Sequence, residues 1–427
     1  MRNAVETYLG IDFGTSGARA IAITPDGYIA AQVHQTYASA ASLAVVWEQT
    51  LWSLLTALPL AIRQCCQAIA IDGTSGTVML CDRTGQPVTQ PLLYNDDSAR
   101  AALTDLAAIA SGPAVSSTSS LVKALWWAQT LDPAVLEAAQ FLLHQADWLG
   151  GLLHGQLGVS DYHNALKLGY DVQAMAYPDW LLALPVADWL PRVHPPGSAI
   201  APITAKVANH LGLPSTCIVK AGTTDSIAAF LASGASLPGE AVTSLGSTLV
   251  LKLLSRTPVV DAASGVYSHR LGDLWLAGGA SNTGGAVLRT FFADDDLAAL
   301  SSKLQPAQPT QLNYYPLLRP GERFPISDPD YPPRLLPRPN DPVRFLQGLL
   351  EGMAQIETMG YARLMTLGSS PLKCVYTAGG GVKNEAWQRI RAQRLKVPVS
   401  ASPQTESAYG AARLAQGLMT AQAALKV

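Results

Sequence analysis

The chain has 427 residues, 48% of them hydrophobic and 14% charged, with a formal net charge of -2. That size and apolar content predict two domains with substantial cores, and the near-neutral balance offers no basic surface to a nucleic acid. No apolar run approaches the ~18 residues of a membrane span, and MRNAVETYLG lacks signal- or transit-peptide character, so a cytoplasmic location with no membrane partner is expected.

The first recognisable element is GIDFGTSGARAIAITPDG, residues 10–27. β-formers flank a glycine and hydroxyl cluster, and Pro25-Asp26-Gly27 signals a turn, so the segment reads as strand, tight turn, strand. It is neither a P-loop nor a G-x-G-x-x-G loop. Gly14 and Gly17 permit close backbone approach, while Thr15 and Ser16 offer N–H and hydroxyl groups to an anion. Asp12 would repel a phosphate there unless a divalent cation lay between them. Read alone, an ordinary glycine hairpin with Asp12 accepting turn hydrogen bonds explains the stretch equally simply.

Residues 45–64 read as an amphipathic helix and 68–72 as a buried strand. The opening pattern then returns as IDGTSGTVMLCDRTGQP, residues 71–87, and again at residues 242–254, where Leu245-Gly246-Ser247-Thr248 echoes Phe13-Gly14-Thr15-Ser16. Copies a domain's length apart predict two related halves, each presenting a phosphate hairpin. Residues 121–130 and 145–153 read as helices, 217–221 as a strand, and 225–232 as a helix. A boundary falls near residues 234–239. Strands alternating with helices imply an α/β fold. Residues 305–342 are rich in proline and too long for an ordinary connection. A helix over 343–366, a strand over 374–377, a helix ending near 395 and a last helix over about 406–419 complete the chain.

Five cysteines without C-x-x-C spacing and seven scattered histidines predict reduced thiols and no zinc site. Asp225 opens a helix directly after a strand, where α/β proteins bind ligands. It reads either as a helix cap or as a carboxylate able to accept a hydroxyl proton during phosphoryl transfer. Gly379-Gly380-Gly381 would let a flat ring lie against backbone, with Asn384 bonding a base or ribose; the alternative is a glycine turn with Trp387 in the core.

Taken together, these stretches resemble the FGGY carbohydrate kinases, within the wider actin, sugar-kinase and Hsp70 ATPase fold. Gly10, Ile11, Asp12, Gly14, Thr15 and Arg19 resemble the opening GIDxGTxxxR. Trp47-Glu48-Gln49, Asp96 with Arg100, Asn164-Ala165 with Asp171, Gly222 to Asp225, Gly246-Ser247-Thr248, Gly284-Gly285, Gly379 to Trp387, and Glu406 with Gly410-Ala411-Ala412 follow in the family's order. Within the family the chain is similar to the plant and cyanobacterial xylulose-kinase-like group, whose members resemble D-ribulose kinases. Asp97-Ser98-Ala99 before Arg100, and Leu166-Lys167 in place of Ser-Arg, depart from the family pattern in the sugar-binding half.

The resemblance implies two RNase H-like domains with a nucleotide cleft between them. Residues 1–232 with the C-terminal segment 406–427 would bind sugar, and residues 233–405 the nucleotide. ATP and Mg²⁺ would be the cofactors, and the enzyme a monomer or homodimer. Asp225, Asp12 and Thr15 would be catalytic, with Asp12 and Asp225 at the metal. Asp12, Ser16, Gly17, Arg19, Ser75, Asp96 and Asp225 would bind the sugar. Thr15, Ser16, Gly246, Ser247, Thr248, Gly284, Gly380, Gly381, Asn384 and Trp387 would bind the nucleotide. The implied reaction is phosphorylation of the C5 hydroxyl of D-ribulose; D-xylulose, L-ribulose and a non-catalytic sugar or ATP sensor are the alternatives.

Overall fold

The computed structural model describes residues 5–38, 42–110 and 112–418. Residues 419–427, which the sequence assigns to the C-terminal helical segment, lie outside them. The chain divides into two compact units, one running to Ala232 and resuming at Glu406, the other spanning Ser233–Thr405.

In the first unit, Thr7–Phe13, Gly17–Ile23 and Ile29–Thr36 form an antiparallel meander, and Cys66–Gly73 lies parallel to Thr7–Phe13. Ile218–Lys220 and Ala199–Pro202 extend the sheet beyond Cys66–Gly73. The central strands are apolar almost throughout because helices cover both faces. Leu43–Ala57 and Gln145–His154 supply side chains to one core cluster, where Trp47, Leu51, Leu54 and Leu149 meet Leu9, Ile11 and Phe13. The helix Ser407–Gln416 packs on Thr7–Phe13 and against the helix Asp225–Ala232. Glycine makes both contacts possible: a Cβ on Gly10 would lie 2.0 Å from the Ala408 carbonyl oxygen, and one on Gly410 1.8 Å from that of Ala228.

Three expectations change. The helix read over 45–64 ends at Ala57 and restarts as Leu60–Arg63, because Pro59 cannot continue a helix and biases Leu58 toward extended backbone. The second copy of the Gly-Thr-Ser-Gly pattern is a turn, as read, but the strand after it does not fold back on Cys66–Gly73 as Gly17–Ile23 does on Thr7–Phe13. Its following strand, Val78–Cys81, leaves the central sheet and pairs with Phe141–His144. The last helix stops at Gln416, where Gly417 adopts a left-handed conformation with φ 98°.

The second unit repeats the plan. Glu240–Leu245 and Leu249–Ser255 form a hairpin, Leu274–Ser281 adds antiparallel to the latter, and Cys374–Ala378 runs parallel to Glu240–Leu245. Tyr267–Leu271 and Val399–Ala401 are the edges. The helix Pro342–Thr366 buries Phe345, Leu346, Leu349, Leu350, Met353 and Ile356 at helical spacing. Beneath it lies a buried ion pair, Arg391 to Glu357, with two nitrogen–oxygen distances of 2.7 Å and a third bond of 2.7 Å from Arg391 Nη1 to Thr377 Oγ1. The proline-rich stretch contributes Tyr314, Tyr315, Leu317 and Phe324 to this core. Buried carboxylates anchor it. Glu322 accepts from Ser281 Oγ at 2.6 Å and Tyr315 OH at 3.0 Å, and Glu351 accepts from Thr310 Oγ1 at 2.7 Å.

Candidate active site

Strand register builds the site of the first unit. Asp12 faces Arg19 across the hairpin and Asp72 across the parallel pair, and Asp72 in turn faces Thr223. Four strands thus set Arg19, Asp12, Asp72 and Thr223 in one row at the carboxyl ends of the parallel strands, two positions before Asp225 opens its helix. The Asp72 side chain is 0% exposed and finds no ordinary donor for either oxygen. Its neighbour is the Asp12 carboxyl. Burial drives the Asp72 pKa well above the carboxylate range, and the charges of Asp12 and Asp225 drive it further. Asp12 is also raised by burial; Asp72's hydrogen bond and the charge of Arg19 oppose that shift, and Asp225 adds to it. Two adjacent carboxyls cannot both ionise cheaply, so the protonated form of Asp72 is favoured beside Asp12.

Thr15 and Ser16 lie exposed at the tip of the hairpin, closed by a bond of 3.0 Å from Gly14 N to Gly17 O. Tyr37, which the sequence reading missed, fixes this loop from behind: its hydroxyl donates to the Gly14 carbonyl at 2.9 Å and its N–H to that of Ser16 at 3.1 Å. Gly17 serves the sheet, since a Cβ there would lie 2.5 Å from the Gln35 carbonyl oxygen. Arg19 is ion-paired with Glu406, which opens the returning helix.

The turn after Asp72 is held by residues remote in sequence. Gln145 Oε1 accepts from Thr74 N at 3.0 Å and from its hydroxyl at 3.1 Å. The fully buried Lys123 donates to the Gly76 carbonyl at 2.8 Å and the Leu93 carbonyl at 2.5 Å, and burial brings its pKa down to about 8. Lys167 donates to the Ser75 carbonyl at 3.2 Å. Asp96 accepts from Ser98 N at 2.9 Å and Ser98 Oγ at 2.6 Å; these bonds and the charge of Lys123 outweigh burial and keep its carboxyl low. Asn164 is buried and tied to Asp161, donating to it at 2.6 Å.

The second unit carries the corresponding hairpin, but its row is neutral. Ser244 faces Val250 and Ala378, the places taken in the first unit by Arg19 and Asp72 around Asp12. A polyphosphate meets no carboxylate in that row. Beside the hairpin is a cavity of about 1000 Å³ that brings together Gly246, Ser247, Gly380, Gly381, Asn384 and Trp387. Thr248 and Gly284 support the loop from behind: Gly246 N donates to Thr248 O at 3.2 Å, and a Cβ on Gly284 would lie 2.5 Å from Ser247 O. Asn384 caps the helix Glu385–Leu395, accepting from Trp387 N at 2.9 Å and donating to Ser301 Oγ at 2.8 Å. Trp387 is buried, with its indole N–H unpartnered, beneath Gly381. Arg289, also lining the cavity, donates to Ser247 Oγ at 3.3 Å and is a cation that the sequence reading did not single out.

These features suit Mg-ATP. The cavity has the volume of a nucleotide site, and Arg289 adds positive charge beside the hairpin. Mg²⁺ takes one or two carboxylates and completes its shell with water and phosphate oxygens. Asp12 and Asp225 are carboxylates of that type, and among the described residues no group of three or more His, Cys, Asp or Glu is placed to hold a metal.

Residues 7–232 match the N-terminal domain, and residues 241–417 the C-terminal domain, of the FGGY family of carbohydrate kinases. A xylulose kinase of Streptomyces coelicolor is 27% identical over 400 residues, covering 87% of this chain and 79% of the relative. The fold is also that of a crystal structure described as a xyloylose kinase from Brucella ovis, with a TM-score of 0.82 at 21% identity over 97% of this chain and 93% of the other. A gluconate kinase from Lactobacillus acidophilus has a TM-score of 0.82 at 18% identity over 99% and 90%. Backbone likeness of this kind shows the fold and leaves the acceptor to the site residues.

Proposed function

The chain belongs to the FGGY family of carbohydrate kinases, and from that premise we propose an ATP-dependent ketopentose kinase that phosphorylates the terminal C5 hydroxyl. The observation that carries this reading is the acidic row of Asp12 and Asp72 ending beside Asp225. Asp225 is the general base: as the C5 oxygen attacks the γ-phosphorus, its proton passes to the carboxylate, the bond to the β-phosphate oxygen breaks, and ADP leaves. Backbone amides of Thr15 and Ser16, and of Gly246 to Thr248, orient the phosphates. Gly380, Gly381 and Trp387 form the floor for the adenosine, and Asn384 holds the turn in shape. Mg²⁺ held by Asp12 and Asp225 would neutralise charge on the phosphate oxygens. Most of the rate enhancement expected here is alignment and electrostatics.

D-Ribulose is the favoured acceptor, because the chain is similar to the plant and cyanobacterial xylulose-kinase-like group, whose members resemble D-ribulose kinases. D-Xylulose is the second reading, favoured by relatives that are named xylulose kinases. The test is ADP release from Mg-ATP with D-ribulose, D-xylulose, L-ribulose, D-gluconate, glycerol and no sugar. Selective stimulation by one ketopentose supports the reading and names the acceptor. Stimulation only by gluconate or glycerol, or by nothing, overturns it.

A further inference from the structure

The turn Thr74 to Gly76 receives two lysines from different parts of the chain, and they are not equivalent. Lys123 is fully buried and donates to two carbonyls, Gly76 and Leu93, so its role is to hold the turn. Lys167 is half-buried and gives one bond, of 3.2 Å, to the Ser75 carbonyl. An ammonium has three donors. A single carbonyl bond does not offset the cost of withdrawing a charge from water, and a neutral amide would make that bond at lower cost.

Placement supplies the reason. Lys167 follows the short helix Tyr162–Ala165, which is tied to the Asp225 strand by a contact of 2.7 Å between His163 Nδ1 and Thr223 Oγ1. Burial lowers the Lys167 pKa, and the negative charge of Asp225 opposes that shift. The lysine stem lies against Gly76, whose φ is 87°: a Cβ there would be in ordinary contact with Lys167, 3.4 Å from Cδ and 3.7 Å from Nζ. The ammonium therefore sits on the Ser75 turn, which follows Asp72 of the acidic row.

We propose that Lys167 is a substrate-binding, specificity-determining residue that donates a charge-assisted hydrogen bond to a secondary hydroxyl of the ketopentose, on the side of the sugar that faces the Ser75 turn. This inference rests on the ketopentose kinase reading. Lys167 holds the acceptor so that its terminal hydroxyl reaches Asp225, and it distinguishes sugars by the configuration of the hydroxyl it meets. A donor buried beside a sugar discriminates strongly, because a misplaced hydroxyl leaves the ammonium unpartnered.

The experiment compares the full chain with Lys167→Met and Lys167→Arg, measuring kcat and KM for D-ribulose, D-xylulose and Mg-ATP, with thermal melts of each variant. D-Ribulose and D-xylulose differ at one secondary hydroxyl. Lys167→Met is expected to raise the KM for the better ketopentose by about 10-fold or more and to shrink the kcat/KM ratio between the two sugars by a similar factor, with the KM for ATP moving less than 3-fold. Lys167→Arg, which keeps the charge, is expected to recover part of the sugar KM. A folded variant with an unchanged sugar KM and an unchanged ratio overturns the inference while leaving the kinase reading standing. So does a loss confined to melting temperature in both variants. A parent enzyme inactive on every ketopentose overturns both.

Discussion

Asp72 stands beside Asp12 in parallel register, buried, with no ordinary donor for either of its oxygens and the charge of Asp12 acting on it. Asp72 has a folded pKa raised above its unfolded value of about 3.9. The stability it contributes is therefore fully present below pH ~4 and is lost as pH rises through the folded value. Asp72→Asn cannot ionise. In the ligand-free protein its melting temperature is expected to gain on that of the parent as pH rises from 4 to 9. Parallel melting curves for the two proteins across that range would remove the proton assigned to Asp72.

Asp225→Ala is expected to lower kcat for sugar phosphorylation by roughly 10²–10⁴-fold, the usual range for a general base. The fold should be kept and the affinity for a non-hydrolysable ATP analogue should fall far less, because the adenosine cavity lies between Leu245 and Arg389 in the other unit and Asp12 still offers a carboxylate to the metal. Full activity in the variant would sink the base assignment.

The hairpins were legible in the sequence because their signal is local: a glycine and hydroxyl turn between β-formers at Gly14 to Ser16, and its echo at Gly246 to Thr248. The neutral row of the second unit and the acidic row of the first were not. They depend on which residue faces which across a parallel pair, and no local pattern sets that register. Asp72 was visible as part of the repeated motif, yet its burial beside Asp12 follows only from pairing Cys66–Gly73 with Thr7–Phe13. Lys167, Gln145 and Tyr37 act on turns 92, 71 and 23 residues away. Pro59 is the opposite case, since the break it causes could be read from its chemistry alone.

The return of the chain to the first unit rests on two glycines. In Gly410→Ala the new methyl would meet the Ala228 carbonyl oxygen at 1.8 Å, a backbone atom that no side-chain rotation removes. Separation of the two helices should cost ~3 kcal/mol or more, exceeding the roughly 1 kcal/mol that alanine gains over glycine within a helix. Chemical denaturation measures the difference, and a variant as stable as the parent would refute the tight contact between Ser407–Gln416 and Asp225–Ala232.

In the second unit, Arg391→Met leaves Glu357 buried without its cation. Both side chains are 1% exposed, and stranding one partner of such a pair costs about 3–5 kcal/mol. Adding Glu357→Leu to Arg391→Met should restore part of that loss, because an apolar pair needs no desolvation. A single variant with unchanged denaturation would show that the ion pair is dispensable.

Gly284 gives a test of the second hairpin. Its φ is 147°, and a Cβ there would lie 2.5 Å from the Ser247 carbonyl oxygen and 2.7 Å from Thr248 Cα. Gly284→Ala therefore has to push the phosphate loop outward, together with the bonds of 2.9 Å from Gly285 N to Gly246 O and 3.2 Å from Ala286 N to Ser247 O. If Gly246 to Thr248 bind the ATP phosphates, the KM for ATP should rise by about 10-fold, a loss of ~1.4 kcal/mol of binding. The KM for the sugar should change little, because its proposed contacts are all in the first unit. Equal increases in both would mean that the substitution damages the fold at large, and an unchanged KM for ATP would remove this hairpin from the nucleotide site.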